Sequence, residues 1–323
     1  MSQADAPAML AENLPPEALF HVRNLDVARM GVLQWLVLIL WMPIGLPLML
    51  VRAAATILAS LVIPPAYRPW WICTMAGVFT RTKGKTKMRD HGMVVVSNHL
   101  SYFDRMTVAA AVRSRVPLAT LIWHKVNWLN AHMARPTIAV RETGRNRNLV
   151  DEIKVYLQHG NVLLFPEATV TDGMALLRFE KMAFSLEARV VIVALRYRRA
   201  LPFLRSSALR ERLFVQLFYD LFQPWSVAEM QVLGTHERRE DETAEDFAKR
   251  AQAMIADALG VPTTTYTWRD RRRLLKQHGL ELPGELERRK LLQKAKGEWD
   301  KAKDKVKGTV ERVKSRKKGE KGQ

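Results

Sequence analysis

The sequence predicts an α/β protein: a mostly parallel central sheet flanked by helices, with an N-terminal membrane-embedded helical hairpin and a basic helical or disordered tail. Three observations carry that expectation. Apolar, β-branched runs of strand length alternate with helical stretches between residues 80 and 200. An uncharged run of membrane length stands before them, and positive charge gathers behind them.

Residues 1–30 read as an N-terminal cytosolic segment. "GVLQWLVLILWMPIGLPLMLV", residues 31–51, holds 21 residues without a charge, and after Arg52 the apolar run resumes to Ile63. That length permits a membrane span, but the run is too long and too far from the N-terminus for a signal peptide. Pro43, Gly45 and Pro47 fall within five residues. Two prolines so close should break or sharply kink a helix, leaving each half short for a crossing. The preferred reading is a hairpin over 31–66 that enters one leaflet and returns, with a single span and a buried soluble helix as alternatives.

The segment 67–262 reads as one folded α/β domain. "MVVVS" at 93–97, "TIAV" at 137–140, "NVLLF" at 161–165 and "RVVIVAL" at 189–195 resemble buried strands. Helices are expected at "DRMTVAAAVRS" and at "NRNLVDEIKVYLQHG", the latter capped near Asn146 or Asn148 and stopped at Gly160. "SSALRERLFVQLFYDLF" suits an amphipathic or surface-lying helix. "TAEDFAKRAQAMIADALG" is a clearer one, with Thr243 as its cap and Gly260 as its stop.

Residues 263–323 form the basic tail. The net charge is +19, and from Trp268 onward twenty Lys/Arg face nine Asp/Glu, so +11 of it lies in the last 56 residues. Such a tail suits a nucleic-acid backbone or an anionic membrane. The long apolar segment, and a tail without interleaved aromatics, disfavour nucleic acid. Trp299, Ala302, Val306, Val310 and Val313 follow a 3–4 spacing, a weak amphipathic pattern. One cysteine, Cys73, rules out an intrachain disulfide, and no Cys/His cluster has zinc-site spacing, so no metal is expected; no bound cofactor is expected either.

Two strands end in polar motifs. "MVVVS" runs into "NHLSYFD", and "NVLLF" into "PEATVTDG". If the strands are parallel, both motifs face one crevice at the carboxyl edge of the sheet. His99 and Asp104 are five apart, about 140° around a regular helix, so they meet only if His99 sits in the turn and Asp104 in the first helical turn behind it. An aspartate on one imidazole nitrogen fixes the tautomer and leaves the other nitrogen as a base. That base could take a proton from an alcohol as it attacks an acyl group. The bland alternative is a capping aspartate beside an incidental histidine.

Together "SNHLSYFD" and "LLFPEATVTDG" resemble the signature of the glycerolipid (lysophosphatidic acid) acyltransferase superfamily, over roughly residues 35–260. The look is closest to the lysophosphatidylcholine acyltransferases and the ancient ubiquitous protein of lipid droplets. The latter has a ubiquitin-binding CUE domain beyond its acyltransferase region, and no such pattern is read in the basic tail. The resemblance implies the fold of that family, with His99 as general base and Asp104 as its orienting partner. "TIAVRETGRNR" matches the block whose arginine binds the acceptor's phosphate, here Arg141. Glu167 and Thr169 would help hold the glycerol-phosphate end, and "VVIVALRY" would line the acyl side. Two positions depart from the family: Ala168 stands where glycine is usual, and Ala194 where proline is. Alanine makes a positive φ harder to adopt.

The function so implied is transfer of a fatty acyl group to a hydroxyl of a lysophospholipid or glycerol phosphate. The donor would be an acyl thioester, acyl-CoA or acyl carrier protein, and backbone N–H groups near the motifs would serve the oxyanion. The expected partners are membrane lipids and these substrates, with no nucleic acid. The expected site is a membrane with the active domain facing the cytoplasm: a bacterial inner membrane, or the endoplasmic reticulum and lipid droplets in a eukaryote. The alternative is a non-catalytic membrane or droplet scaffold that keeps the fold.

Overall fold

The structure, a computed structural model, describes residues 19–20, 30–64, 67–84, 91–112, 118–123, 137–140, 147–204 and 213–278. Seven strands form one sheet: β1 (Val78–Lys83), β2 (Met93–Ser97), β3 (Leu118–Trp123), β4 (Thr137–Val140), β5 (Asn161–Leu164), β6 (Arg189–Arg199) and β7 (Ser226–His236). Their spatial order is β1-β7-β6-β2-β5-β3-β4. Every neighbouring pair is parallel except β6 with β7. The mostly parallel sheet is therefore as expected, and β2 lies at its centre between β5 and β6.

Alternate residues along the central strands feed two separate cores, as the period of two requires. Met93, Val95, Val191, Val193 and Leu195 face a core shared with Ile72, Met106 and Val108. Val94, Val96, Val162, Leu164, Val190 and Ile192 face the other, filled by Ile153, Phe247, Ala251 and Ile255. This is the three-layer arrangement of an α/β domain. Helices α3 (Asp104–Val112), α4 (Arg147–Leu157), α5 (Leu213–Phe222), α6 (Ala244–Leu259) and α7 (Trp268–Gln277) flank the sheet or follow it. In α6, Thr243 caps by accepting from the Asp246 N–H and Gly260 ends the helix at φ +63°, both as the sequence indicates. In α4, Asn148 lies inside the helix rather than capping it, and Asn146 lies outside the described residues.

Three differences from the sequence expectation bear on function. First, the apolar segment is one continuous helix, α1 (Val32–Val62), running through Pro43 and Pro47 instead of turning back as a hairpin. A short second helix, α2 (Arg68–Met75), follows it. The domain compensates for the two interrupted helix bonds by holding α1 on either side of the prolines. Trp41 Nε1 donates to the Phe222 carbonyl at 2.8 Å, and the Arg52 guanidinium donates to the carbonyls of Leu221, Gln223 and Pro224. Gly45 allows the close approach between them, because a Cβ there would fall 2.7 Å from the Phe222 ring. Second, β1, β3 and β7 were not anticipated, and β6 runs on to Arg199. Third, the compact unit extends to Leu274, beyond the boundary expected at 262. Thr264 N–H bonds the Leu176 carbonyl and Arg178 N–H the Tyr266 carbonyl, so this stretch pairs with the chain beyond "PEAT". The tail positions Trp299, Ala302, Val306, Val310 and Val313 lie outside the described residues.

Candidate active site

The carboxyl ends of β2 and β5 lie side by side, in register from Val94 with Val162 to Val96 with Leu164. The two polar motifs therefore do share one edge. Asn98 continues the ladder beyond β2 with its side chain: Nδ2 donates to the Leu195 carbonyl and Oδ1 accepts from the Leu195 N–H, each at 2.9 Å. That rung fixes the first residue of the turn, so His99 leaves the sheet in a set direction.

His99 Nδ1 lies 2.8 Å from Asp104 Oδ2, with the histidine side chain 20% exposed and the aspartate wholly buried. Asp104 begins α3, and Oδ2 also accepts from the backbone N–H groups of Leu100 and Ser101. Carboxylate oxygens only accept, so Nδ1 carries a proton, and in the neutral imidazole Nε2 is the basic nitrogen. The imidazole also stacks on Phe165, the first residue of "FPEAT", with centroids 4.2 Å apart and planes 12° from parallel. The residue just after β5 thus supplies a flat surface against which the ring lies. No local pattern marks Phe165 for this role.

Glu167 is fully buried. Its Oε1 accepts from the His99 N–H at 3.0 Å and its Oε2 lies 3.3 Å from the Leu177 N. Burial pushes its carboxyl up to about 8, the Asp104 charge adding to the rise against the lowering by the two backbone N–H groups. Glu167 therefore joins the second motif to the first through the backbone of the histidine itself. Ala168 adopts φ +55°, the left-handed conformation that the usual glycine takes without strain. Thr169 is nearly buried, and its hydroxyl accepts from Arg271 of α7, a residue that the sequence reading left in the basic tail. Arg141 lies outside the described residues. Ala194 is buried within β6, opposite Gln231 of β7.

Four N–H groups around the histidine are already engaged. Those of His99, Leu100 and Ser101 go to Glu167 and Asp104, and that of Thr171 goes to the His99 carbonyl at 2.8 Å. They build the loop rather than an oxyanion site. Beside that loop is a cavity of about 280 Å³, bounded by Leu100, Thr171, Gly173, Tyr197, Arg199 and Leu204 among others. Its size is near the lower end for small-ligand sites. Among the described residues no group of His, Cys, Asp and Glu could hold a metal ion.

A histidine held by an aspartate therefore stands at the carboxyl edge of an α/β sheet, beside "FPEAT". The family model described as Acyltransferase matches residues 80–198. The chain belongs to the glycerolipid acyltransferase superfamily. It is 30% identical to the lipid droplet-regulating VLDL assembly factor AUP1 of Xenopus tropicalis over 278 residues, 83% of this chain and 66% of that protein. It is 26% identical to lysophosphatidylcholine acyltransferase 2B of Rattus norvegicus over 245 residues, 70% of this chain and 46% of that one. The chain therefore spans just under two thirds of the AUP1 relative and less than half of the acyltransferase. The crystal structure of the 1-acyl-sn-glycerophosphate acyltransferase PlsC from Thermotoga maritima aligns with 70% of this chain and 94% of its own, with a TM-score of 0.44 and 15% identity.

Proposed function

We propose that the protein is a membrane-bound acyltransferase that moves a fatty acyl group from an acyl thioester to a hydroxyl of a lysophospholipid or glycerol phosphate. The carrying observation is the His99–Asp104 contact, which takes up Nδ1 and leaves Nε2 as the ring nitrogen for an acceptor. Nε2 takes the acceptor's hydroxyl proton as its oxygen attacks the thioester carbonyl carbon. The tetrahedral intermediate then collapses, the C–S bond breaks, and the proton passes from the imidazolium to the departing thiolate. Acyl-CoA or acyl carrier protein supplies the thioester. Arg141 would hold the acceptor's phosphate by its bidentate fork. Glu167 and Thr169 would shape the acceptor's seat through the loop they fix.

The membrane reading rests on α1. Among the described residues it is the helix long and apolar enough to cross a bilayer. Yet one stripe of it lies on the domain from Leu38 through Gly45 and Arg52 to Ala59. That stripe is about 32 Å long at 1.5 Å per residue, as long as a hydrocarbon core is thick. Lipid could surround this helix only if the flanking domain entered the bilayer as well. The opposite face is bare and apolar, with Leu33, Leu40, Leu50 and Leu58 exposed, and Trp71 of α2 and Phe214 of α5, two helices that contact α1, are exposed as well. We therefore read α1 as lying in one leaflet with its apolar face down, which keeps both ends on one side without a hairpin.

A second reading, a non-catalytic lipid-droplet scaffold, is favoured by one observation: Ala168 holds a strained conformation where the family has glycine. Acyl transfer decides between the two. The purified protein in detergent is given labelled acyl-CoA or acyl carrier protein with a panel of lysophospholipids and glycerol 3-phosphate, beside His99→Ala. Transfer lost in the variant supports the enzyme. No transfer to any acceptor from either donor, by protein shown to be folded, supports the scaffold.

A further inference from the structure

The motif loop is held from outside by a residue more than a hundred positions away. Asp220, on α5, is 5% exposed, and its Oδ2 accepts from the Ser101 hydroxyl at 2.7 Å. Ser101 is the third residue of "HLSYFD", and its own N–H donates to Asp104 Oδ2 at 2.8 Å. Its hydroxyl oxygen in turn accepts from the Phe103 N–H at 3.1 Å. One serine thus connects Asp220 to the carboxylate that orients His99. The other oxygen of Asp220, Oδ1, lies 3.5 Å from Nη2 of Arg199, a wall residue of the cavity beside the loop. The Arg199 guanidinium also sits 5.0 Å over the Tyr197 ring, and the Tyr197 hydroxyl lies 3.4 Å from Thr107 of α3.

Helix α5 is itself fixed by α1. The three carbonyls that receive Arg52 belong to Leu221, Gln223 and Pro224, immediately after Asp220. A cation there satisfies open carbonyls at the C-terminal end of α5 and complements its dipole. Arg52 also accounts for the one charge inside the long apolar run. The contacts form a continuous path: apolar helix, end of α5, Asp220, Ser101, Asp104, His99.

From this we infer that Asp220 is a positioning residue for the catalytic loop, through the Ser101 hydroxyl, and that Arg52 of the apolar helix holds Asp220 in place for that task. The inference rests on the acyltransferase reading for its kinetic consequence but not for its geometry. Asp220 touches neither substrate nor the reacting atoms. It acts by keeping Ser101, and hence Asp104 Oδ2, at the distance that lets His99 Nδ1 donate.

Two measurements test it on the full chain in detergent. The first is a double-mutant cycle in kcat with Asp220→Asn and Ser101→Ala. Each variant should lower kcat about tenfold with KM little changed, and the double variant should fall no further than either single one, because both remove the same link. Asp220→Glu should recover part of the rate. Independent, multiplying losses would overturn the inference. The second needs no turnover: the hydrogen-bonded Nδ1 proton of His99, observed by NMR of histidine-labelled protein. It should shift or vanish in Asp220→Asn, in Ser101→Ala and, to a lesser degree, in Arg52→Gln. An unchanged resonance in all three sinks the inference whether or not acyl transfer is found. If wild-type protein transfers no acyl group but the resonance responds as described, the acyltransferase reading fails and the positioning role stands. Should Asp220→Asn fail to fold, Ser101→Ala alone carries the resonance test.

Discussion

The imidazole of His99 lies flat against the ring of Phe165, centroids 4.2 Å apart, while its Nδ1 is held by Asp104 at 2.8 Å. One contact fixes the plane of the ring and the other its tautomer, and each comes from a different motif. On the proposed mechanism, a base fixed this way needs little realignment when the acceptor hydroxyl arrives.

Replacing Asp104 by asparagine tests the tautomer. An asparagine amide can present its NH₂ to Nδ1, which draws the proton onto Nε2 and removes the base. The same change weakens the acceptor for the Leu100 and Ser101 N–H groups. We expect kcat to fall by about 10²–10⁴, the usual size of a general-base contribution, with the acceptor's KM changing far less. Steady-state kinetics on the acceptor found by the panel gives the answer. A loss confined to KM would mean that the pair binds rather than catalyses.

Glu167 makes stability depend on pH. Its carboxyl is raised from an ordinary value near 4.5 to about 8. Between those limits the folded protein holds a proton that the unfolded chain has released. The stabilisation is therefore complete below pH 4.5 and lost as pH rises through 8, at about 1.4 kcal/mol per unit. Thermal unfolding followed from pH 5 to 9 should show Tm falling across this range. Glu167→Gln, which keeps a neutral side chain of the same shape, should flatten the slope. Equal slopes in both proteins would mean that another group titrates.

Ala168→Gly should relieve the left-handed strain. A non-glycine residue at φ +55° costs about 1–2 kcal/mol, and glycine's extra freedom in the unfolded chain returns part of that. The net gain expected is about 1 kcal/mol, or roughly 2–4 °C in Tm for a domain of this size. If the strain also displaces the loop joined to His99 through Glu167, kcat should rise in the same variant. A lower Tm would show that neighbouring contacts stabilise the alanine.

How much of this was legible in the sequence depends on the range of the interaction. Strand β2 appears at the residues read from "MVVVS" because a central strand buried on both faces is a continuous apolar run. Strands β1 and β7 pair with each other on the outer side of β6, and their mixed burial leaves no such run. The prolines of α1 obeyed a local rule only until tertiary contacts with Phe222 and α5 intervened. The His99–Asp104 pair spans five positions and could be reasoned out from turn and helix geometry. Asp220 and Arg271 meet the motifs across 119 and 102 residues, and no local pattern announces such a meeting.

The seating of α1 in one leaflet has a direct test, because its two ends then lie on one side of the membrane. Val32 and Val62, at the two ends, are 78% and 71% exposed. The native Cys73 is buried, and burial raises its thiol far above the range where thiolate forms, so it gives little background. Single cysteines at Val32→Cys and Val62→Cys, in protein reconstituted into sealed vesicles, should react with an impermeant maleimide added outside to the same extent in a given preparation. A crossing helix would label one end and protect the other. Glutamate at Leu40 and Leu50 should meanwhile weaken vesicle binding, each by tenfold or more, since burying one leucine contributes about 1.5–3 kcal/mol. Tm should stay near wild type, because these side chains, 74% and 64% exposed, do not face the domain. Opposite labelling of the two ends would replace the one-leaflet seat with a span, and the domain along the Leu38–Ala59 stripe would then have to separate from α1.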